Sequence, residues 1–398
     1  MPDAITIGQR IAHARKLRGL TQAELAVRIP CSKSLVAQVE RGHKPATPTL
    51  IAAVAKVLNV DVTELTGQPY RGSNARTDRI HAAISEIRQA LAYWDIPPEV
   101  EIPPRPLQEL AVEVERAGRL RMEAGYTQLG ELLPRLLKEL TVHAHTLSGP
   151  AQERAFGLLA AAYTAADSMA YKLGYLDLFA LAVERVSWAA AQSDDPLLKP
   201  VAAMRRSSVF LATGAWDGGM SLLARASRQM NGAAKGDAGL SIAGTIHLRA
   251  SILAARGAMP GPAWENIGLA EEVAGRLGHD TKDYGLLFGP TNVAIHGVAV
   301  AIELGDADEA VRRSAELVLP EDLPRERSSH HYIDLSRAWI WQRRFDKALE
   351  CVAVAERLAP QRTRYHPMAR QTVTQLLDYQ RRLPEPLRGL ATRMGLTG

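Results

Sequence analysis

Residues 20–42 have the sequence LTQAELAVRIPCSKSLVAQVERG, which predicts two short helices joined by a tight turn. Thr21 can cap the first helix, since its hydroxyl can accept from the free backbone N–H groups of the opening turn, and a Glu three residues later completes a capping box. Pro30 lacks the backbone N–H that a continuing helix needs. Ser32 can cap the second helix, and Gly42 can close it in the left-handed conformation. The stretch is therefore a helix-turn-helix candidate.

The second predicted helix has an outer face that suits a DNA groove. Val36 and Val39 fall on the side of a core, which leaves Lys33, Ser34 and Gln38 outside. The major groove admits one α-helix, and side chains near the start of that helix can reach base edges. A Gln amide can pair with adenine, and a Lys can reach the acceptors of guanine. The pattern favours DNA binding, although short helix pairs also occur in helical bundles.

The same stretch resembles a known family. The pattern Leu-Thr-Gln-x-x-Leu-Ala, then Ser-x-x-x-Val-x-x-Val-Glu-Arg-Gly, is similar to that of the Xre family, also called the Cro or lambda-repressor-like family. The resemblance implies a five-helix domain at residues 1–67 that binds double-stranded DNA, as a homodimer reading two half-sites about 34 Å apart. The residues that it places at DNA are Gln22, Ser32, Lys33, Ser34, Leu35, Gln38, Arg41 and Lys44.

The resemblance also implies separate roles within the domain. Gln22, Arg41 and Lys44 would hold phosphates, while side chains of the second helix would face bases. Arg15 would pair with Glu40 across the core as a structural ion pair. At the turn between the helices, a Pro replaces the family's usual Gly.

Charge is distributed unevenly along the chain. The 398 residues are 46% hydrophobic and 23% charged, as in a soluble globular protein, and their number predicts two or three domains. The net charge is +5, yet residues 1–67 alone hold nine Lys or Arg against five Asp or Glu. Positive charge concentrated at the N-terminus is typical of a DNA-binding module attached to a near-neutral body.

Motifs for a metal, a cofactor or catalysis are missing from the sequence. The two cysteines, Cys31 and Cys351, lie far apart and lack Cys-x-x-Cys spacing, so they predict neither a disulfide framework nor a zinc site. Such sparse cysteine usage is typical of a protein in the reducing cytoplasm. Adjacent or alternate histidines on a helix, as at His143 and His145, do not share a face, so they do not predict a metal site. The chain has no phosphate loop, dinucleotide fingerprint or nucleophile elbow. We therefore expect a cytoplasmic protein that is not an enzyme and needs neither cofactor nor metal.

Beyond the first domain, the sequence predicts an all-helical repeat. Residues 68–106 hold a linker, a Pro-rich segment and a connector helix that either packs on the next domain or mediates dimerisation. Within residues 107–398, a short break followed by an amphipathic helix recurs at Tyr175, Trp216, Trp264, Ala307 and Phe345. Such self-similarity indicates an α-solenoid. The uncharged run 284–302 holds too many Gly, Pro and polar residues for a membrane span, so we expect a buried helix there.

The repeats predict a groove for a ligand or partner. A solenoid presents a concave surface lined by the first helix of each pair. Counting back from equivalent positions of the second helices predicts groove residues Arg205, Asn292, His296, His330 and Asp334. First helices also carry Tyr163, Arg249 and Trp339. A carboxylate or amide ligand would suit such side chains; alternatively, they are solvated or bond between repeats.

Together these features predict an all-α transcriptional regulator, a lambda-repressor-like head followed by a tetratricopeptide-like α-solenoid. The last repeat is similar to a tetratricopeptide repeat, and the whole chain resembles actinobacterial-type regulators that join these two parts. The head would bind DNA sequence-specifically, and the repeats would sense a small molecule, a peptide or a protein and control dimer geometry. The alternative is an interaction scaffold, in which the repeats recruit a protein and the head only tethers it to DNA or dimerises.

Overall fold

The computed structural model describes residues 5–29, 31–70, 80–99, 103–230, 236–379 and 384–396. Within these ranges the secondary structure is helical, apart from an isolated bridge between Thr281 and Phe288. The all-α prediction is therefore confirmed. Two features singled out in the sequence, Pro30 at the turn and most of the linker after Gly67, lie outside the described residues.

Five helices form the N-terminal domain, and we call this domain the head. They are α1 (Ile7–Leu17), α2 (Gln22–Arg28), α3 (Lys33–Glu40), α4 (Pro48–Leu58) and α5 (Val62–Thr66). Thr21 and Ser32 cap α2 and α3 as predicted, each hydroxyl accepting from a backbone N–H three residues on at 3.2 Å. A side chain at Gly8 would clash with the carbonyl of Val39, so glycine allows α1 to cross α3 closely.

The repeat region consists of paired helices in succession. Its helices are α7 (Leu107–Met122), α8 (Tyr126–Thr146), α9 (Pro150–Leu173), α10 (Leu176–Gln192), α11 (Leu198–Thr213), α12 (Trp216–Met230), α13 (Gly236–Arg256), α14 (Pro260–Leu277), α15 (Pro290–Leu304), α16 (Ala307–Ala315), α17 (Arg325–Trp341), α18 (Phe345–Leu358), α19 (Pro360–Tyr365), α20 (Pro367–Tyr379) and α21 (Glu385–Arg393). The second helices α10, α12, α16 and α18 begin at or next to the predicted breaks, whereas α14 begins before Trp264, at Pro260.

The connector helix α6 (Ile84–Ala92) packs on the repeat region. Ile84, Ile87 and Leu91 are buried in the hydrophobic cluster that also holds residues of α7 to α10. Its apolar face is therefore covered within the chain, which supports the first of the two alternatives for this helix and leaves that face unavailable for dimerisation.

The uncharged run 284–302 is a loop followed by most of α15, whose apolar residues are largely buried, as expected for a repeat helix. Among the described helices, α13 is the one long and apolar enough to cross a membrane. However, 67% of that stretch is buried inside the protein, as in a core helix.

The repeat region curls until its last helices meet its first. Lys172 on α9 pairs with Glu326 on α17 at 2.9 Å. Gln361 on α19 exchanges two hydrogen bonds with Thr127 on α8, at 3.1 and 3.0 Å. The first helices of the pairs therefore surround a central space.

The head packs against the end of this curled array. Residues of α4 and of α20 belong to one continuous hydrophobic cluster. The hydroxyl of Tyr379 donates to the carbonyl of His43 at 2.8 Å, and the Arg370 guanidinium lies 4.1 Å from the ring centroid of Tyr70. Apolar packing and polar contacts together fix the orientation of the head on the repeats.

Candidate nucleic-acid interface and ligand cavity

The predicted DNA-facing side of α3 is open to solvent in the docked head. Lys33 and Ser34 are exposed, and so are Arg41 and Lys44 just beyond the helix. Gln38 is half-buried, and its amide donates to the Ser34 hydroxyl at 3.0 Å, one helical turn away. These five polar side chains form an accessible surface on the head.

The other three predicted DNA contacts are engaged within the head. The Ser32 hydroxyl caps α3, and Leu35 is half-buried against the core. The Gln22 amide donates to Glu40 Oε2 at 2.7 Å, so one of its hydrogens already has a partner.

An ion pair joins Arg15 to Glu40 beneath this surface. Arg15 Nε and Nη2 donate to the two carboxylate oxygens at 2.6 and 2.8 Å, and the two residues are only 7% and 9% exposed. Burial disfavours the charged form of Glu40, but hydrogen bonds from Arg15 and Gln22 hold its pKa below the ordinary value. The pair therefore fixes α1 against α3 and, through Gln22, against α2.

A cavity of about 350 Å³ occupies the centre of the curled repeats. It is lined by the first helices of the pairs, and all five predicted groove residues, Arg205, Asn292, His296, His330 and Asp334, lie on its wall. Arg249 also lies there. Tyr163 instead is buried in the core, and Trp339 packs beneath Lys347, whose Nζ is 4.2 Å from the ring centroid.

The groove residues are partly satisfied by the protein itself. Arg205 pairs with the buried carboxylate of Asp167. Asn292 Nδ2 donates to the Leu287 carbonyl at 2.5 Å, while its Oδ1 has no hydrogen-bond partner among the described residues. His330 Nδ1 lies 2.7 Å from a guanidinium nitrogen of Arg362. These side chains therefore bond in part within the repeats, as the alternative prediction has it. Asn292 Oδ1 remains without a hydrogen-bond partner among the described residues.

Most of the charged side chains on the cavity wall were missed by the sequence reasoning. They are Arg121, Lys172, Arg256, Glu303, Glu326, Arg327, Arg337, Arg362 and His366. The signal that could have identified them is a polar stripe at helical spacing on a largely buried helix, as at positions 326, 330, 334 and 337 of α17, of which only 330 and 334 were predicted.

The histidines of the cavity are held in the neutral form. Burial, followed by the nearby Arg327, holds the pKa of His296 well below its usual value. Burial and Arg362 do the same for His330 and His366. Uncharged imidazoles can both donate and accept hydrogen bonds, so they complement the guanidinium groups beside them.

The head forms part of the cavity wall. Ile51 and Ala52 of α4 line it, as do Thr66 at the end of α5 and Gln68 beyond it. A Cβ at Gly174 would lie 2.5 Å from the Cβ of Gln68, so the segment after α5 touches the repeats closely. The domain that carries the exposed α3 surface therefore also encloses the cavity.

Comparison with known proteins places the head in a family. Residues 6–66 match a family model described as a helix-turn-helix domain. A propionyl-CoA carboxylase regulator of Cereibacter sphaeroides is 30% identical over 105 residues, which are 26% of this chain and 21% of that protein. The immunity repressor protein of Bacillus phage phi105 is 38% identical over 64 residues, 16% of this chain and 44% of that protein. This chain therefore spans less than half the length of either relative.

A shorter relative is matched over most of its length. The HTH-type transcriptional regulator YazB of Bacillus subtilis is 38% identical over 58 residues, 15% of this chain and 84% of that protein.

Among solved structures, PlcR of Bacillus thuringiensis with the peptide PapR7 and DNA aligns with 89% of this chain and 99% of its own at 16% identity and a TM-score of 0.34. Apo ComR of S. thermophilus covers 55% of this chain and 94% of its own at 13% identity and a TM-score of 0.17. These two TM-scores are too low to bear on fold or function, whereas the family model and YazB agree on the same residues. Through its head, the chain belongs to the helix-turn-helix transcriptional regulators.

Proposed function

We propose that the protein is a cytoplasmic, sequence-specific DNA-binding regulator whose repeat region senses a ligand, a peptide or a protein partner and thereby controls the geometry of a homodimer. The observation that supports this proposal most is that the head takes part in both candidate sites. It exposes Lys33 and Ser34 to solvent, beside the half-buried Gln38, while Ile51 and Thr66 line the central cavity. One domain thus contributes to both candidate sites.

The coupling follows from this shared wall. An occupant of the cavity contacts α4 and the end of α5 directly, so its affinity differs between a docked and a displaced head. A ligand shifts a conformational equilibrium by that difference in affinity. In a dimer, moving the heads changes the distance between the two α3 helices, and half-site spacing then determines which operators are bound.

The proposal divides the chain into a DNA-binding head at residues 1–67, a linker with the connector helix at 68–106 and a sensor at 107–398. It treats the head as an Xre-type domain and the sensor as tetratricopeptide-like. Support comes from the capping box at Thr21, from the left-handed Gly67 that ends α5, and from the helix pairs that surround the cavity.

Two substitutions test the role of the exposed surface. We expect Gln38→Ala to reduce the preference for the operator over scrambled DNA by roughly tenfold, since a paired base contact contributes about 1–3 kcal/mol of discrimination. We expect Lys44→Ala to weaken binding to all sequences alike and to lower the slope of log affinity against log salt by about 1. Fluorescence anisotropy over a range of salt concentrations measures both effects.

The operator for these titrations comes from footprinting of the purified protein on genomic DNA. Equal losses on matched and scrambled duplexes for Gln38→Ala would contradict its role in base readout. A footprint without protected sites would favour the interaction scaffold instead.

A further inference from the structure

We propose that the central cavity binds a small organic polyanion, a molecule that carries two or more phosphate or carboxylate groups. This inference rests on the proposed function in taking the cavity as the sensing site, and it adds the chemical class of the ligand. Its support is the excess of positive charge on the wall and the cavity cations that have no carboxylate partner.

Positive side chains exceed negative ones on the cavity wall. The described lining residues include eight cations, Arg121, Lys172, Arg205, Arg249, Arg256, Arg327, Arg337 and Arg362, and three carboxylates, Glu303, Glu326 and Asp334. Buried Asp167 behind Arg205 adds one further negative charge. An excess of positive charge remains around a partly enclosed space, where an anion experiences a stronger attraction than at an open surface.

Two of the carboxylates each pair with two cations, and three guanidinium groups of the wall have no carboxylate partner. Lys172 and Arg362 both pair with Glu326, at 2.9 and 2.8 Å, and Arg256 and Arg337 both pair with Glu303, at 3.3 Å.

Arg121, Arg249 and Arg327 form no salt bridge with any carboxylate of the described residues. Arg121 Nη2 donates to the Gly285 carbonyl at 2.5 Å, and Arg327 Nη2 lies 2.7 Å from His296 Nδ1. Three unneutralised guanidiniums around one space match a ligand with several negative charges.

Several guanidinium groups on the same wall have N–H groups without a hydrogen-bond acceptor. Arg337 and Arg362 are 4% and 1% exposed, and Arg337 Nη2 and Arg362 Nε have no hydrogen-bond partner among the described residues. The buried Nε atoms of Arg256 and Arg327 likewise have no hydrogen-bond partner among the described residues. A buried donor without an acceptor is costly, and the protein itself satisfies these cavity guanidinium groups only in part.

The crowded cations also destabilise one another. Burial lowers the pKa of Arg327 to about 10, and burial with the nearby Arg362 lowers the pKa of Lys172 to about 8. Burial also lowers the pKa of Arg249, and neighbouring Arg256 acts in the same direction. A bound anion would counteract both the loss of water and this repulsion.

The size of the cavity favours a compact ligand. A volume of about 350 Å³ is at the small end of the range for small-molecule sites. Because repeats surround the space and the head covers one side, a compact anion fits it better than a folded protein partner.

Calorimetric titration of the full-length protein tests the proposal. The probes are sodium pyrophosphate and trisodium citrate, with sodium chloride at matched ionic strength as the control. We expect saturable binding of at least one polyanion and none of chloride. We expect Arg249→Gln to weaken this binding at least tenfold, because it removes an unpaired cavity cation and leaves no carboxylate without its partner. Arg228→Gln makes the same charge change at an exposed site on α12 and should leave affinity unchanged.

Circular dichroism establishes that each variant is folded, and Arg121→Gln replaces Arg249→Gln if the latter unfolds. Absence of saturable binding of both polyanions would overturn the inference, and so would an equal loss of affinity in Arg228→Gln. Binding of tetra-alanine with a free C-terminal carboxylate, without binding of either polyanion, would overturn it in favour of a peptide.

Footprinting without ligand separates this inference from the proposed function. Protected operator sites with no polyanion binding would overturn the ligand class and leave the regulator intact. Polyanion binding without any protected site would overturn the regulator and leave the ligand class intact.

Discussion

Arg15 and Glu40 show how a single pair of residues holds the head together. The carboxylate accepts from Arg15 and from Gln22, so side chains of α1 and α2 converge on the last residue of α3. The family resemblance implied this pair, with Glu40 inside the quoted pattern and Arg15 seven residues before Gln22. It assigned Gln22 to a phosphate, and it gave no sign that the Gln22 amide also bonds to Glu40, a contact that only the packed helices reveal.

The pair makes a prediction for stability. We expect Glu40→Gln to lower the free energy of unfolding by about 3 kcal/mol, because removing one member of a buried ion pair leaves the other charge unpaired in a site with little water. Urea denaturation measures the change. Glu24→Gln is the matched control, since Gln also serves in a capping box and Glu24 is exposed. Similar losses in the two variants would show that Arg15 is not paired in solution.

Helix ends were easier to predict than the contacts between helices. Thr21 and Ser32 act as caps because a cap depends only on residues a few positions apart. Counting equivalent positions along the repeats led to Arg205 and His296, which lie together on the cavity wall because each first helix presents the same face. Docking of the head through α4 left no pattern in the sequence, since its apolar residues look like those of any core helix.

The contact between Gly174 and Gln68 tests this docking at the level of one helix end. Gly174 ends α9 at φ 86°, and Gly305 ends α15 at φ 82°, where a Cβ would meet nothing within 4 Å. We expect Gly174→Ala and Gly305→Ala each to cost about 1 kcal/mol of unfolding free energy, the cost of a left-handed alanine. Only Gly174→Ala should also displace Gln68 and accelerate hydrogen exchange in α4 and α5. Equal exchange rates in the two variants would contradict docking at this point.

For the whole molecule, composition and repeat spacing were enough to predict an all-helical chain with a basic head. Closure of the array was not predictable, because the contacts between Lys172 and Glu326 and between Thr127 and Gln361 join residues far apart in sequence. Closure turns an open groove into a cavity. It therefore also explains why Glu326 and Arg337 of the α17 stripe were not predicted, since such side chains on an open solenoid would simply be solvated.

The buried histidines predict acid sensitivity of the whole fold. Burial lowers the pKa of His296, His330 and His366 well below 6.5, and burial with nearby Arg327 lowers the pKa of His331 to about 4. Below about pH 6.5 the unfolded chain binds protons that the folded chain does not, so stability falls as pH falls. His331 alone should contribute a loss of about 2 kcal/mol between about pH 7 and about pH 5.

Urea denaturation at these two pH values measures the loss. It should be smaller in His331→Gln, by about that amount, and unchanged in His13→Gln, which alters an exposed histidine of α1. The same loss in His331→Gln as in the wild type would show that His331 is not buried in neutral form.

The shared wall between head and cavity has a thermodynamic corollary for the proposed regulator. Ile51, Ala52 and Thr66 belong to the head and also line the cavity, so binding of promoter DNA and binding of the small molecule are coupled. The small molecule changes the dissociation constant of the promoter by some factor. The promoter must then change the dissociation constant of the small molecule by the same factor. The operator is then itself an effector of the sensor. Two operators that hold the heads differently would respond to different cellular concentrations of one metabolite.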